Sequence, residues 1–250
     1  MKLHNDFLGI NDSDVILNFL PSDTEEIYKN NLITQGNDWY YKNNTITYSL
    51  NRNGHRSKNI NEVDLNNYIL FTGCSHTFGI GLELEKTYPY IVSKLLDCDY
   101  YNLGMPGSGI DVLEYNIMIW LGKVKQKPKL LVVQMPDHTR FCTHNPYIHK
   151  DFFIESGSWA SDEDEKKMLV NLEDLGFFNF RKYYTYKNIE NICDFPILKT
   201  NIYGQDNIGY NVKMRRLDYA RDLAHSGLKS HHAFSLKLIE IASKMLDINI

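Results

Sequence analysis

The residues best able to do chemistry in this chain are one serine and, far from it in sequence, a carboxylate–imidazole pair. Ser75 lies in "FTGCSHTFGIG" (Phe71–Gly81), between glycines and just after an apolar run. Serine is a poor nucleophile until a base takes its proton. The base is most often histidine, and a carboxylate on its far ring nitrogen fixes the tautomer and holds the imidazolium. The stretch Asp222-Leu-Ala-His225 offers both groups on one loop. Such a loop can turn the imidazole toward Ser75 while Asp222 touches the other nitrogen. Asp218, earlier on the same stretch, is a rival carboxylate. A tetrahedral oxyanion also needs donors. Ser75 can give its own backbone N–H at a helix start, and Gly107 can bring a second N–H close because it has no side chain. Each residue also has a plainer use: Ser75 as a helix N-cap, His225 as a surface histidine, Asp222 as a cap, Gly107 as a tight turn. For Ser75 alone the cap is the better reading. The Asp222–His225 pair near the other end of the chain reverses that.

The elements around these residues must bring them together. "NYILFTG" (Asn67–Gly73) and the β-branched "KLLVVQM" (Lys129–Met135) read as buried strands, and "DYYNLG" (Asp99–Gly104) as a short one. "TYPYIVSKLL" (Thr87–Leu96) reads as a helix with Thr87 as cap and Pro89 in its first turn. Gly109–Lys125 has helical periodicity, and Ser230–Leu246 is a closing amphipathic helix. Strand, helix, strand, helix, strand implies a parallel sheet with covering helices. In such sheets ligands bind outside the carboxyl ends of the strands. Ser75, the "NLGMPGSG" turn (Asn102–Gly109), "QMPDHTR" (Gln134–Arg140) and "DLAHSG" (Asp222–Gly227) are all expected at that rim. The organisation expected is one domain over 1–250, with an Asn-rich N-terminal extension at 1–65 and an aromatic-rich insertion at 138–210. The extension holds one extended candidate, Asn44–Leu50. The insertion holds a helix over Ser161–Gly176, whose early acids suit the helix dipole.

On these residues the chain resembles the SGNH (GDSL-like) hydrolase family. "GCSHTFG" (Gly73–Gly79) is similar to its first block, which carries the nucleophilic serine after the first strand. "NLGMPG" (Asn102–Gly107) is similar to the second, whose last glycine is an oxyanion donor. "DLAHSGLKSH" (Asp222–His231) is similar to the last, a D-x-x-H just before the final helix. The resemblance covers roughly residues 68–136 and 214–247, and "LNRNGHR" (Leu50–Arg56) resembles a turn that precedes the core in some members. It implies a three-layer α/β/α sandwich with a central parallel sheet of flavodoxin-like topology. It also implies a Ser75–His225–Asp222 triad, with Ser75 and Gly107 as oxyanion donors. One block departs. The family's third block is G-x-N-D, and here it reads Gln134-Met135-Pro136-Asp137. Pro136 stands where the donating Asn is expected and has no N–H to give. Losing one such donor costs on the order of 10²–10³ in turnover, against a total enzymatic acceleration worth about 8–23 kcal/mol. Gln134, His138, Thr139 and Arg140 are candidate replacements, with Gln134 and Arg140 preferred. Arg140 equally suits an anionic part of a substrate, and His76 is a further substrate-contact candidate.

Other chemistry is disfavoured. Net charge is −4 without a dense Lys/Arg stripe, so nucleic acid is not the expected partner. No run of about 18 apolar residues exists, so no membrane span is expected. The N-terminus lacks a secretory h-region, which makes a cytoplasmic location the default, with particle association or another export route as alternatives. Cys74, Cys98, Cys142 and Cys193 form no C-x-x-C pair, arguing against a zinc cluster or disulfide framework. His231 and His232 are adjacent, so on a helix they point about 100° apart and suit capping or packing. His144 and His149 match no ligand motif. "GMPGSG" is not G-x-G-x-x-G and has no P-loop Lys, which makes a nucleotide site a weak rival. Position 77 is Thr rather than the Gly of a G-x-S-x-G elbow, which argues against an α/β-hydrolase. "FFNFRKYYTY" (Phe177–Tyr186) could stack on sugars or bases but reads more readily as core or as a lid over a cleft. No metal or organic cofactor is implied, and nothing sets an oligomeric state. The function expected is a serine esterase working through an acyl-enzyme, with a short acyl group on a carbohydrate as first substrate guess. An SGNH-shaped binding or structural module without turnover, and an O-acyltransferase using the same triad, stay open beside it.

Overall fold

The computed structural model describes residues 13–137, 139–144, 153–156, 163–202 and 212–248. The expectations about a leader, His138 and His149 fall outside the described residues, as do the first two residues of the helix expected over 161–176.

Two short strands of the N-terminal segment pair antiparallel: β1 (Val15–Leu17) and β2 (Tyr48–Leu50), with Leu17 opposite Tyr48. Between them runs α1 (Glu25–Thr34), whose Thr24 Oγ1 accepts from Ile27 N at 3.1 Å. Glu25 and Glu26 follow in the first turn, where the helix dipole favours negative charge.

The apolar run seen in the sequence becomes β3 (Tyr68–Thr72), with every residue buried. The chain then passes through α2 (Ser75–Phe78), α3 (Tyr88–Leu95), β4 (Asp99–Asn102), α4 (Ile110–Lys123) and β5 (Leu130–Met135). A hairpin of β6 (Phe141–His144) and β7 (Phe153–Ser156) follows, with Phe141 opposite Ser156. Next come α5 (Glu163–Asp174), α6 (Phe177–Ile192), β8 (Ile197–Asn201), the two-residue β9 (Val212–Lys213) and α7 (Leu228–Met245).

The main sheet has the order β4-β3-β5-β8-β9, and each adjacent pair is parallel. Numbered within the sheet this is 2-1-3-4-5, the flavodoxin-like order. Successive residues of a strand face opposite sides, and the two faces separate cleanly. Leu70, Leu131 and Val133 pack with Ile117 and Trp120 of α4 and Tyr186 and Ile189 of α6. Ile69, Phe71, Val132 and Leu198 pack with Val92 of α3 and Phe234, Leu238 and Ala242 of α7. The architecture is a three-layer α/β/α sandwich around a parallel sheet. The aromatic stretch read as core or lid is a layer of it. Phe178 and Tyr186 of α6 are buried, while Phe180, Tyr183 and Tyr184 on its other side are exposed. Both α6 and β8 come from the stretch that the sequence groups with an insertion.

A third apolar cluster joins the N-terminal segment to the rim. Leu20, Tyr41, Ile46, Tyr48 and Leu50 pack with Phe78, Ile80, Leu82 and Ala220. Among the described residues, no helix is long and apolar enough to cross a membrane.

Candidate active site

The sheet order reverses at β3, which lies between β4 and β5, and Ser75 begins the one-turn helix just beyond its carboxyl end. The cap question has a definite answer. Cys74 occupies the N-cap, no side chain caps the helix, and Ser75 is its first helical residue. The Ser75 hydroxyl touches Cys74 Sγ at 3.9 Å, a weak contact, so it is not committed to capping. Ser75 is buried at 4% exposure, under a rim built by three loops.

The first loop carries the carboxylate–imidazole pair. Asp222 Oδ2 is hydrogen-bonded to His225 Nδ1. Asp222 Oδ1 accepts from Ala224 N at 3.1 Å and His225 N at 3.0 Å. The intervening Leu223 takes a left-handed φ of +55°, which closes this turn. Burial pushes the Asp222 pKa upward, but the His225 ring and the two backbone amides outweigh it and hold the carboxyl below its ordinary value. The rival Asp218 is committed elsewhere. Its oxygens accept from Lys229 N at 2.9 Å and from Ser230 N and Oγ at 2.9 and 2.7 Å, which caps the start of α7.

This loop is docked on the exit of the serine helix. Arg221 N donates to Gly81 O at 3.1 Å. A Cβ on Gly81 would meet Ala220 Cβ at 2.7 Å and Arg221 N at 2.9 Å, so only glycine allows the approach. The His225 ring lies 5.1 Å, centroid to centroid, from the ring of His76, the residue after Ser75. Among the described residues Ser75 Oγ and His225 make no hydrogen bond to each other; such bonds are often long before substrate arrives. His225 keeps 16% side-chain exposure, so the ring is not sealed off from solvent.

The second loop carries Gly107, at φ +80° in the turn closed by Ser108 N donating to Met105 O at 3.2 Å. That turn is pinned just before Ser75: Met105 N and Ser108 Oγ both donate to Gly73 O, at 3.0 and 3.1 Å. Asn102 adds a strut, accepting from Gly104 N at 2.8 Å and donating to Thr77 O at 2.9 Å.

The third loop follows β5. Gln134 is fully buried, and its Oε1 accepts from Thr77 Oγ1 at 2.8 Å. Its Nε2 faces Met214 Sδ at 3.6 Å. The amide expected as an oxyanion donor is here a strut between strand and helix. Past Pro136 the backbone turns at Asp137, whose Oδ1 accepts from Thr139 N and Oγ1. Arg140, half-buried, lies within electrostatic reach of His76.

Burial first, then the rings of His225 and His231 and the charges of Arg140 and Arg216, hold the His76 pKa well below the ordinary imidazole value. A neutral ring thus borders His225. His231 is a packing group, as its position suggested. Its Nδ1 accepts from Tyr88 N at 3.1 Å, serving the first residue of α3, and burial, with His225 and Arg56, pushes its pKa down to about 3. Among the described residues no cluster of His, Cys, Asp and Glu is arranged to hold a metal ion.

Sequence reasoning passed over one strong support. Arg56 is buried and grips the backbone just after the serine helix, donating to Gly79 O at 2.6 Å and Leu82 O at 2.7 Å. The "LNRNGHR" turn was its only signal.

No family model matches the chain, and no curated protein matches it. Several solved structures are similar to it. One is a carbohydrate esterase family 2 enzyme plus carbohydrate binding domain from Corynascus thermopiles (Myceliophthora fergusii). It is 12% identical with a TM-score of 0.48, over 72% of this chain and 67% of that one. Another is an acetyl xylan esterase from the rumen bacterium Butyrivibrio proteoclasticus, 14% identical with a TM-score of 0.40, over 72% of this chain and 64% of that one. A third is a member of the lipolytic protein G-D-S-L family from Veillonella parvula, 12% identical with a TM-score of 0.37, over 70% of this chain and 97% of that one. The chain thus spans about two thirds of the length of the first two.

Proposed function

We propose that the protein is a serine esterase acting on carboxylic esters. Ser75 Oγ bonds to the ester carbonyl carbon as its proton passes to His225 Nε2, with Asp222 holding the opposite ring nitrogen. The backbone N–H groups of Ser75 and Gly107 receive the oxyanion. The carbonyl–alcohol C–O bond then breaks, and His225 returns the proton to the leaving alcohol. Water attacks the acyl-enzyme with His225 as base, and the serine leaves reprotonated. The sequence resemblance implies carboxylic esters, and a short acyl group on a carbohydrate is the first substrate guess.

The observation that carries this reading is the Asp222–His225 pair on a loop fastened to the exit of the serine helix, whose serine hydroxyl caps nothing. A second reading, a binding module of the same shape without turnover, draws on the third loop, where Pro136 has no N–H and Gln134 is committed to Thr77 and Met214.

Treatment with a fluorophosphonate probe followed by mass mapping separates the two. A label on the Ser75 peptide, lost in Ser75→Ala, is expected. An unlabelled Ser75 together with no turnover over a broad acyl-ester panel would favour the binding module.

A further inference from the structure

The N-terminal segment reaches the active site through a buried polar chain. Gly81 N donates to Tyr48 Oη at 2.8 Å, and Tyr48 Oη donates to the carboxylate of Asp23. Asp23 in turn receives the guanidinium of Arg221: Nε at 3.1 Å to each oxygen and Nη2 at 2.7 Å to Oδ2. Arg221 is the residue before Asp222. Its guanidinium also donates to Asn18 O at 2.7 Å and packs over two rings, 4.8 Å from the Phe19 centroid and 5.2 Å from that of Tyr28. Its carbonyl accepts from Asn31 Nδ2 at 2.8 Å. Asp23 is fully buried and Arg221 nearly so. The circuit closes where Arg221 N donates to Gly81 O.

One buried tyrosine hydroxyl and one buried carboxylate therefore bridge two backbone stretches: the exit of the nucleophile's helix and the entry to the Asp222–His225 turn. A buried ion pair is a poor source of net stability, because desolvation offsets its attraction. Its best-attested use is to fix a register, since an off-register partner strands a charge in the interior. The registered pair here is the two halves of the proposed triad.

We propose that Asp23 and Tyr48 are positioning residues for the active site, setting the distance between the Ser75 helix and the Asp222–His225 loop through the Gly81–Tyr48–Asp23–Arg221 chain. The proposal rests on the esterase reading for its consequence in rate, and on geometry alone for its mechanical coupling. Neither residue is expected to touch substrate.

The test uses the full chain with Tyr48→Phe, which removes only the hydroxyl, and Asp23→Asn, which removes only the charge. Amide hydrogen exchange is followed in peptides covering 79–83 and 218–226. Transmission through the chain means that each variant loosens the stretch it does not touch: Tyr48→Phe raises exchange at 218–226 about tenfold, and Asp23→Asn does the same at 79–83. Fluorophosphonate labelling of the folded variants, well below their unfolding midpoints, is expected to show a maximal inactivation rate about tenfold lower with little change in the probe's apparent affinity.

A merely structural role predicts lower melting points with wild-type labelling per folded molecule, and that result overturns the proposal. So does loosening confined to the mutated side. If Asp23→Asn does not fold, the Tyr48→Phe arm decides alone. If wild-type Ser75 takes no label and no acyl ester is turned over, the esterase reading fails, and the exchange arm still decides the coupling.

Discussion

Arg221 donates its backbone N–H to the carbonyl of Gly81 at 3.1 Å, and this bond joins the loop of the proposed base to the exit of the proposed nucleophile's helix. The contact depends on bare backbone. Gly81 has a φ of +73°, and a Cβ there would stand 2.9 Å from Arg221 N and 2.7 Å from Ala220 Cβ. Gly81→Ala is expected to push the two loops apart. A displacement of about 1 Å at a reacting centre can cost on the order of 10² in rate. Ester turnover and probe labelling should fall by about that factor while substrate KM changes little. Unaltered turnover would show that the loop contact has no bearing on catalysis.

Two carboxylates on one loop have separate tasks, and substitution should divide them. Asp222→Asn keeps an oxygen for the amides of Ala224 and His225 but loses the charge on the His225 ring. Turnover should fall by about 10⁴. Asp218→Ala removes the group that receives Lys229 N and Ser230 N at the start of α7. It should lower stability by about 1 kcal/mol, the usual cost of a lost cap, and leave turnover per folded molecule near wild type. Denaturant titration and initial rates on the two variants make the comparison. The reverse pattern would move the triad carboxylate to Asp218.

The third loop offers a gain-of-function test. Pro136 has no N–H, and Gln134 Nε2 lies against Met214 Sδ. If the protein turns esters over with two backbone donors, Pro136→Asn should add a third and raise kcat. One donor is worth on the order of 10²–10³ elsewhere, so a rise of tenfold or more is expected even with imperfect geometry. Initial rates on an acetyl ester would read it. A variant that folds normally and stays at the wild-type rate would show that position 136 does not face the oxyanion.

Buried histidines make stability depend on acid. The His231 pKa lies at about 3 and that of His76 well below the ordinary value, both chiefly through burial. A depressed imidazole is neutral in the folded chain while the unfolded chain takes up a proton, so stability falls as pH drops below about 6.5. For His231 the loss continues to about pH 3. Each such group contributes a slope of up to about 1.4 kcal/mol per pH unit. His231→Asn retains an acceptor for Tyr88 N and should remove one group's share of the slope between about pH 6 and 4. Urea unfolding at several pH values measures it, and an unchanged slope would place the proton uptake elsewhere.

Local chemistry was legible in the sequence and distant pairing was not. Asp222 and His225 are three residues apart, so a single turn decides their contact, and the D-x-x-H spacing revealed it. The all-buried run Tyr68–Thr72 and the β-branched Leu130–Met135 marked two central strands because both their faces are covered. β8 escaped notice because "ILKTN" is short and carries a lysine and an asparagine, and β9 has only two residues. The helix of Phe177–Ile192 was ambiguous because aromatic residues populate both its buried and its exposed sides. Asp23 and Arg221 are 198 positions apart and look like any other surface charges in the sequence. Gln134 looked like a donor because it is an amide at the right strand end. Only the positions of Thr77 and Met214 reveal how its two ends are used.

Leu223 carries a practical lesson for anyone grafting this kind of site into another scaffold. A leucine at φ +55° stands where its own backbone preference is violated, between the acid and the imidazole. Copying Asp222 and His225 alone onto a relaxed loop would lose the turn that brings them together. The recipient must reproduce the contorted tetrapeptide with the bonds that brace it, Leu223 N to Ala220 O and Ala220 N to His225 O. Glycine at position 223 would ease the contortion and widen the range of shapes the turn explores.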